Sequence, residues 1–304
     1  MTNLAAIICA RMSSERLPGK PLISYSDDGK PNIQCIVERV LTSRYNPKIV
    51  VATSTDKSDD PIEKWLLEYK SASNSKILFY RGSLENVVGR FDSAMNTHCP
   101  DAEYLWRVMA DNPLVDVDLV SWRLDVLLRN KADVIRPLLP EPTYAAQANV
   151  WSREAWDYCA KYSTGSLLFH PGEFLYENLS QFRVVTECGP ESIYYQPIRT
   201  ELDTPEDLEF FKRVWKEYRK HFSSIDSAYR MLDVKDIMDW LSRNPDIVAL
   251  NSHIQEKTHS TYLHGHARAR NIKCEHCSRT VANKVNDRVD ITCAGCGQVK
   301  SFYP

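Results

Sequence analysis

The chain has 304 residues, 43% of them hydrophobic and 26% charged, the make-up of an ordinary soluble globular protein of one large or two modest domains. That composition excludes a disordered chain, a collagen-like fibre and a disulfide miniprotein. The net charge of −2 conceals an asymmetry: 8 Lys+Arg face 4 Asp+Glu after residue 250, against 30 and 36 before it. Five of the eight histidines also fall in that tail, so a main body and a distinct appendage are expected. No stretch approaches the ~18–20 apolar residues of a membrane span, and Met1–Ala10 lacks the basic start of a signal peptide. The expectation is a cytoplasmic protein without membrane contact.

In chain order, strands are expected at Leu4–Cys9, Ile49–Thr53, Ile77–Tyr80, Tyr104–Val108, Asp133–Arg136 and Phe182–Val185. Helical periodicity alternates with them at Ile33–Arg44, Pro61–Tyr69, Leu84–Met95, Asp118–Arg129, Glu154–Lys161 and Pro205–Arg219. Strands as uniformly apolar as Ala5-Ala-Ile-Ile-Cys9 suit a sheet covered on both faces. The alternation predicts an α/β domain with a mostly parallel sheet. Tyr195–Leu202 is strand-like. Thr204 can cap the late helix, with Pro205 in its first turn and Glu206 and Asp207 at the positive end of its dipole. One more helix is expected within 232–251, ending near Asn244-Pro245.

In such sheets ligands bind at the carboxyl ends of strands, so the loops there hold the chemistry. The first strand runs into Ala10-Arg-Met-Ser-Ser-Glu-Arg-Leu-Pro-Gly-Lys20. Arg11, Arg16 and Lys20, with Ser13, Ser14 and Gly19, offer guanidinium forks, an ammonium and open backbone amides to a polyphosphate. No Walker or dinucleotide glycine motif is present. Asp111 follows the Tyr104–Val108 strand and Asp203 follows the Tyr195–Leu202 run. Two carboxylates facing a basic loop are the minimum for Mg²⁺-assisted nucleotidyl chemistry. Asp116-Val-Asp118 also has the D-x-D form of nucleotide-sugar glycosyltransferases, but a capping role suffices for it.

In the tail, Cys274-Glu-His-Cys277 and Cys293-Ala-Gly-Cys296 are separated by fifteen residues. Four thiolates so spaced match a tetrahedral structural Zn²⁺ site. A segment this short would draw much of its folding free energy from the metal. The body cysteines (Cys9, Cys35, Cys99, Cys159 and Cys188) are expected to be reduced and mostly buried. His264-Gly-His-Ala-Arg-Ala-Arg270 reads as a basic tether.

The motif A-R-M-S-S-x-R-L-P-G-K-P-L over residues 10–22 resembles the opening of the cytidylyltransferases of bacterial polysaccharide synthesis. These are the spore-coat type, related to the enzymes that activate sialic acid and ketodeoxyoctonate. Arg81–Arg90, Arg107–Asp116, His170–Asn178, Leu202–Leu208 and Asn244–Asn251 resemble further family segments in the same order. The resemblance implies a Rossmann-like three-layer fold of the nucleotide-diphospho-sugar transferase type (GT-A-like) over residues 1–251. A His-rich linker (252–270) and a zinc ribbon (271–304) would follow. It implies CTP as substrate and a small anionic acceptor: an acidic sugar, a phosphorylated compound or a phosphonate. Arg11 and Lys20 would hold the CTP phosphates, with Ala10, Ser13, Ser14 and Arg16 shaping the loop. Arg81, Ser83 and Asn86 would lie near base and ribose, Asp111 and Asp203 would bind Mg²⁺, and Arg136, Tyr144, His170 and Glu177 would lie near the acceptor. A glycosyltransferase using Asp116 and Asp118, or a non-catalytic scaffold whose tail binds nucleic acid or protein, remains open at this stage. So does a homodimer.

Overall fold

The computed structural model describes residues 2–73, 76–136, 148–186, 198–218 and 233–254, together with the backbone of four short strands near the C-terminus. The elements are β1 (Leu4–Cys9), α1 (Asn32–Val40), β2 (Lys48–Ser54), α2 (Asp60–Ser73), β3 (Leu78–Gly82), α3 (Val87–His98), β4 (Tyr104–Met109) and α4 (Val117–Asn130). They continue with β5 (Val134–Arg136), β6 (Asn149–Ser152), α5 (Arg153–Tyr162), α6 (Glu173–Glu177), β7 (Val184–Thr186), α7 (Pro205–Tyr218), α8 (Val234–Leu241) and α9 (Pro245–Val248). The α/β reading holds.

The main sheet has the order β3-β2-β1-β4-β6. β1 pairs in parallel with both β2 and β4, and β2 with β3, whereas β6 runs antiparallel to β4. Every residue of β1 is buried, as expected of a central strand between two helical layers. One face carries Ala6, Ile8, Ile49, Val51, Trp106 and Val108 into a core with residues of α1, α2, α4, α7 and α8. The other carries Ala5, Ile7, Cys9, Val50, Ala52 and Leu105 against α3, α5 and α6. Alternation of the side chains along each strand thus builds two cores around one sheet, a three-layer α/β/α arrangement.

Four details depart from the sequence-based expectations. The Asp133–Arg136 strand exists as β5 but pairs in parallel with β7, outside the main sheet. The antiparallel member of the main sheet is β6, which carried no sequence signal. Within 232–251 the helix breaks at Asn244-Pro245 into α8 and α9, because a proline at the start of a turn cannot donate back into the preceding one. Of the strand-like run at Tyr195–Leu202, the described part, 198–202, has no strand.

In the tail, β8 (Asn271–Lys273) pairs antiparallel with β9 (Thr280–Asn283), and β10 (Val289–Thr292) with β11 (Val299–Phe302). Cys274, Cys277, Cys293 and Cys296 lie outside the described residues.

Candidate active site

The loop after β1 is held by a buried acid that the sequence did not single out. Asp59 is fully buried; its Oδ1 accepts from the Met12 amide at 2.7 Å, and its Oδ2 from the Ser54 amide and hydroxyl at 3.1 and 2.5 Å. The Met12 carbonyl in turn accepts from the Ser14 and Gly19 amides, each at 2.9 Å. Gly19 takes a φ of +75°, a conformation that a side chain disfavours. The turn at Gly19 brings Lys20 inward.

Lys20 is the hub. Its Nζ donates to Asp111 Oδ2 at 2.9 Å and to Asp203 Oδ1 at 2.5 Å, and Arg16 pairs with the other oxygen of Asp203. Asp111 stands just beyond β4. Asp203 is brought beside it by backbone bonding: the Leu202 amide donates to the Asp111 carbonyl at 2.7 Å. The Asp203 amide is fixed by Asp207 Oδ2 at 3.0 Å. Thr204 caps the helix as expected, and Asp207 makes the cap reciprocal, amide to carboxylate at 2.9 Å and amide to hydroxyl at 3.2 Å. Asp207 also receives both arms of Arg199 and the amide of Asn251. The segment carrying Asp203 is therefore anchored by a buried polar network.

Charges at the hub reinforce each other. Burial pulls Lys20 downward, but Asp111 and Asp203 outweigh it and leave its pKa above the ordinary lysine value. Burial pushes Asp111 upward, and Lys20 followed by Arg107 overcomes this, so the carboxyl lies below its usual range. Both groups are ionised at neutral pH. Asp111 Oδ1 is nevertheless buried without a hydrogen-bond partner, and the neighbouring Asn112 amide has neither end partnered. Such orphaned polar atoms at the end of a strand invite a ligand.

The remaining expected residues divide. Ala10 is buried, its amide on the Ala52 carbonyl at 3.2 Å. Arg11 and Ser13 are exposed on the same loop, and the Ser14 hydroxyl accepts from the Leu17 amide. Arg81 is spent locally: it donates to the Ser54 and Asp56 carbonyls and to Asp60 and Glu63 of α2. Ser83 and Asn86 shape the start of α3, where Asn86 Oδ1 accepts from the Gly89 amide at 2.7 Å. Arg136 ends β5, while His170 and Glu177 bracket α6. Tyr144 lies outside the described residues. Asp116 caps α4 through the Leu119 amide at 2.9 Å, and Asp118 sits in that helix's first turn. Among the described residues, no three or more His, Cys, Asp or Glu side chains cluster as a metal site; Asp111 and Asp203 are a pair.

Arg107, Asn112 and Asp59 were not assigned roles from the sequence, and Asp207 was read only as a first-turn acid of the late helix. Arg107 and Asn112 do fall within the Arg107–Asp116 segment, but nothing there marks which of its residues are buried without partners.

The family model described as Cytidylyltransferase matches residues 5–220. The chain is similar to an uncharacterized protein of Methanocaldococcus jannaschii, 28% identical over 264 residues that cover 84% of this chain and 98% of the relative. It is also similar to the spore coat polysaccharide biosynthesis protein SpsF of Bacillus subtilis, 27% identical over 264 residues, with 81% and 97% coverage. Among solved structures, a cytidylyltransferase from Leptospira borgpetersenii shares the fold with a TM-score of 0.68 at 21% identity, covering 84% of this chain and all of that one. No described helix is long and apolar enough to cross a membrane.

Proposed function

The chain belongs to the cytidylyltransferase family, and on that premise we propose that it transfers CMP from CTP, with Mg²⁺, to a small anionic acceptor and releases pyrophosphate. The acceptor is an acidic sugar, a phosphorylated compound or a phosphonate, used to build or modify a surface glycan. The similarity to the spore coat polysaccharide protein supports that setting.

The observation that carries the reading is the convergence of Arg16, Lys20, Asp111 and Asp203 at the carboxyl ends of β1 and β4. Two carboxylates on one ammonium, with Asp111 Oδ1 unpartnered, make a hard oxygen donor set that fits Mg²⁺. Asp111 and Asp203 would hold the ion. When bound, it would neutralise phosphate oxygens and stabilise charge on the departing pyrophosphate.

Arg11, exposed at the mouth of the loop, with Arg16 and Lys20, would bind the phosphate chain. An acceptor oxygen then attacks the α-phosphorus; that P–O bond forms as the bond to pyrophosphate breaks. The chain's contribution is positioning and charge compensation. A phosphate or phosphonate acceptor is already ionised at neutral pH and needs no base. Asp116 is buried and caps α4, while Asp118 is exposed in that helix's first turn, so capping accounts for the D-x-D that the glycosyltransferase alternative relies on.

Residues 1–251 form the catalytic unit in this reading. In support, Asn251 is fully buried and donates to the Arg199 carbonyl and to Asp207. Residues 252–270 are the tether and 271–304 the zinc ribbon. The two antiparallel strand pairs of the tail each flank one C-x-x-C, the arrangement a two-knuckle Zn²⁺ site needs.

Thermal melts with CTP, ATP, GTP and UTP, each with and without Mg²⁺, test the proposal. CTP with Mg²⁺ should stabilise the protein by about 2.7 kcal/mol at ~100 times its dissociation constant, and Asp111→Ala should abolish the shift. Equal shifts with all four nucleotides, or none, would overturn it.

A further inference from the structure

β4 places Trp106 and Val108 in one core and Leu105 in the other, so alternation puts Arg107 on the face packed by α3, α5 and α6. Two observations set this arginine apart. Its Nε is buried with no hydrogen-bond partner, and among the described residues the side chain makes no ion pair. Across the strand boundary it pairs in register with Ile7, two residues before Cys9. Arg90 reaches that same face from α3; it is 1% exposed, donates to Cys9 Sγ and to the Ser83 carbonyl at 2.9 Å each, and also leaves its Nε unpartnered.

A half-buried guanidinium, Arg107, and a fully buried one, Arg90, share one sheet face with no carboxylate bonded to either, which is costly to desolvate. Burial is accordingly the largest influence on Arg107 and lowers its pKa, with Asp111, Cys9, Tyr176 and Glu173 acting the other way. The acids are near enough to be felt but not to bond. Glu173 is itself raised, by burial and then by Glu177, with Arg107 opposing. Arg107 therefore faces the Asp111 side of the hub and α6 at once. The loop cations Arg16 and Lys20 engage the acids from the β1 side; Arg107 is the cation on the α6 side.

We propose that Arg107 is the specificity residue that recognises the anionic group of the acceptor, with Arg90 held against Cys9 as the supporting second positive charge. A guanidinium grips a carboxylate or a phosphate oxygen pair through two parallel hydrogen bonds, and both chemistries are compatible with the unmet donors. This rests on the cytidylyl-transfer reading for the identity of the ligand as acceptor, but the anion site itself does not.

The test uses the full-length protein with gluconate as a sugar-carboxylate probe and glycerol 3-phosphate as a phosphomonoester probe. The ¹⁵N–¹H resonance of the Arg107 side-chain Nε, assigned by its loss in Arg107→Lys, is followed through each titration. At least one probe should move it saturably, and the responding probe identifies the anion. Arg107→Gln should weaken that probe at least tenfold, while Arg107→Lys retains part of the affinity. CTP-induced stabilisation should be the same in Arg107→Gln as in the parent. No movement with either probe would overturn the proposal, as would an unchanged anion affinity in Arg107→Gln or an equal loss of CTP binding. Should Arg107→Gln fail to fold, the resonance of the parent protein decides alone. A parent that binds the anion at Arg107 but shows no response to CTP would sink the cytidylyl-transfer reading and leave the anion site standing.

Discussion

Replacing Lys20 by methionine keeps the length of the side chain and removes its charge. Lys20 is 11% exposed at the side chain, between Asp111 at 24% and Asp203 at 18%. Its two contacts of 2.9 and 2.5 Å put the facing carboxylate oxygens within about 5 Å of each other. At that distance and an effective dielectric of ~20, two unit charges repel by about 3 kcal/mol. The substitution exposes this repulsion and strips Asp111 of its ion pair, while Arg16 still offsets Asp203. Breaking one partner of a well-buried pair costs ~3–5 kcal/mol; these carboxylates retain some water, so roughly 2–4 kcal/mol is expected. At ~2–4 °C per kcal/mol for a domain of this size, the melting temperature should fall by roughly 5–15 °C. Adding Asp111→Asn to Lys20→Met should recover more than about 1 kcal/mol by removing the uncompensated charge. Mg²⁺ should stabilise Lys20→Met more than it stabilises the parent, since the pair no longer holds its own cation. Calorimetry of the three proteins with and without Mg²⁺ makes the comparison. A single variant melting within about 1 °C of the parent, or strict additivity in the double, would refute the account of the hub.

Acid stability should depend on Asp207, which burial pushes up but Arg199 and Asn251 outweigh, leaving it below the usual carboxylate range. A carboxyl depressed on folding contributes stability that is complete above its unfolded pKa of ~3.9 and lost as pH falls through the folded value. Urea unfolding should therefore weaken below about pH 4, and Asp207→Asn, less stable at neutral pH, should flatten that decline; an unchanged slope would count against the network. Gly172→Ala should cost roughly 2–4 kcal/mol, because its φ is +95° and an added Cβ would lie 2.2 Å from the buried Trp151 ring; a change below about 0.5 kcal/mol in urea unfolding would contradict this. Burial raises Cys35 to about 12 and Cys99 to about 11, and Cys9 and Cys159 are buried with them. Native protein at pH 7.5 should hold these four thiols unreactive to a disulfide reagent. Removing zinc should release four further thiols and one equivalent of metal per chain; release of neither would remove the ribbon.

The parts of the fold legible in the sequence were those whose signal is local. β1 is uniformly apolar and both its faces are covered. α7 begins where Thr204-Pro205-Glu206-Asp207 announced it, because capping involves only neighbouring residues. β6 was not legible: Asn149-Val-Trp-Ser is four residues long, and its antiparallel place beside β4 comes from topology. β5 was recognised as a strand but not as the partner of β7, since composition reports extension and not pairing. Asp111 could be read as a strand-end acid; Asp203 was singled out too, but the described residues before it, 198–202, form no strand. That Lys20 would bond both could not be read, for it depends on Gly19 turning the loop inward and on Leu202 bonding to Asp111. Arg107 gave no sign for the same reason: an arginine's missing partner is a property of three-dimensional surroundings.

The hub also explains why nucleotide and metal should act as a pair. Arg16 and Lys20 are balanced by Asp111 and Asp203, so in the ligand-free hub these four charges are spent on one another. A phosphate chain that draws Lys20 and Arg16 away leaves two carboxylates facing each other, which penalises binding unless a divalent ion takes the vacated place. An ion entering first displaces Lys20 from the carboxylates, which costs the ammonium its partners unless phosphate oxygens are there to receive it. Each ligand thus removes the penalty incurred by the other, and the coupling must be the same in both directions. On the proposed reading, a site whose own cation stands between its acids should resist metal or nucleotide alone and take up both together.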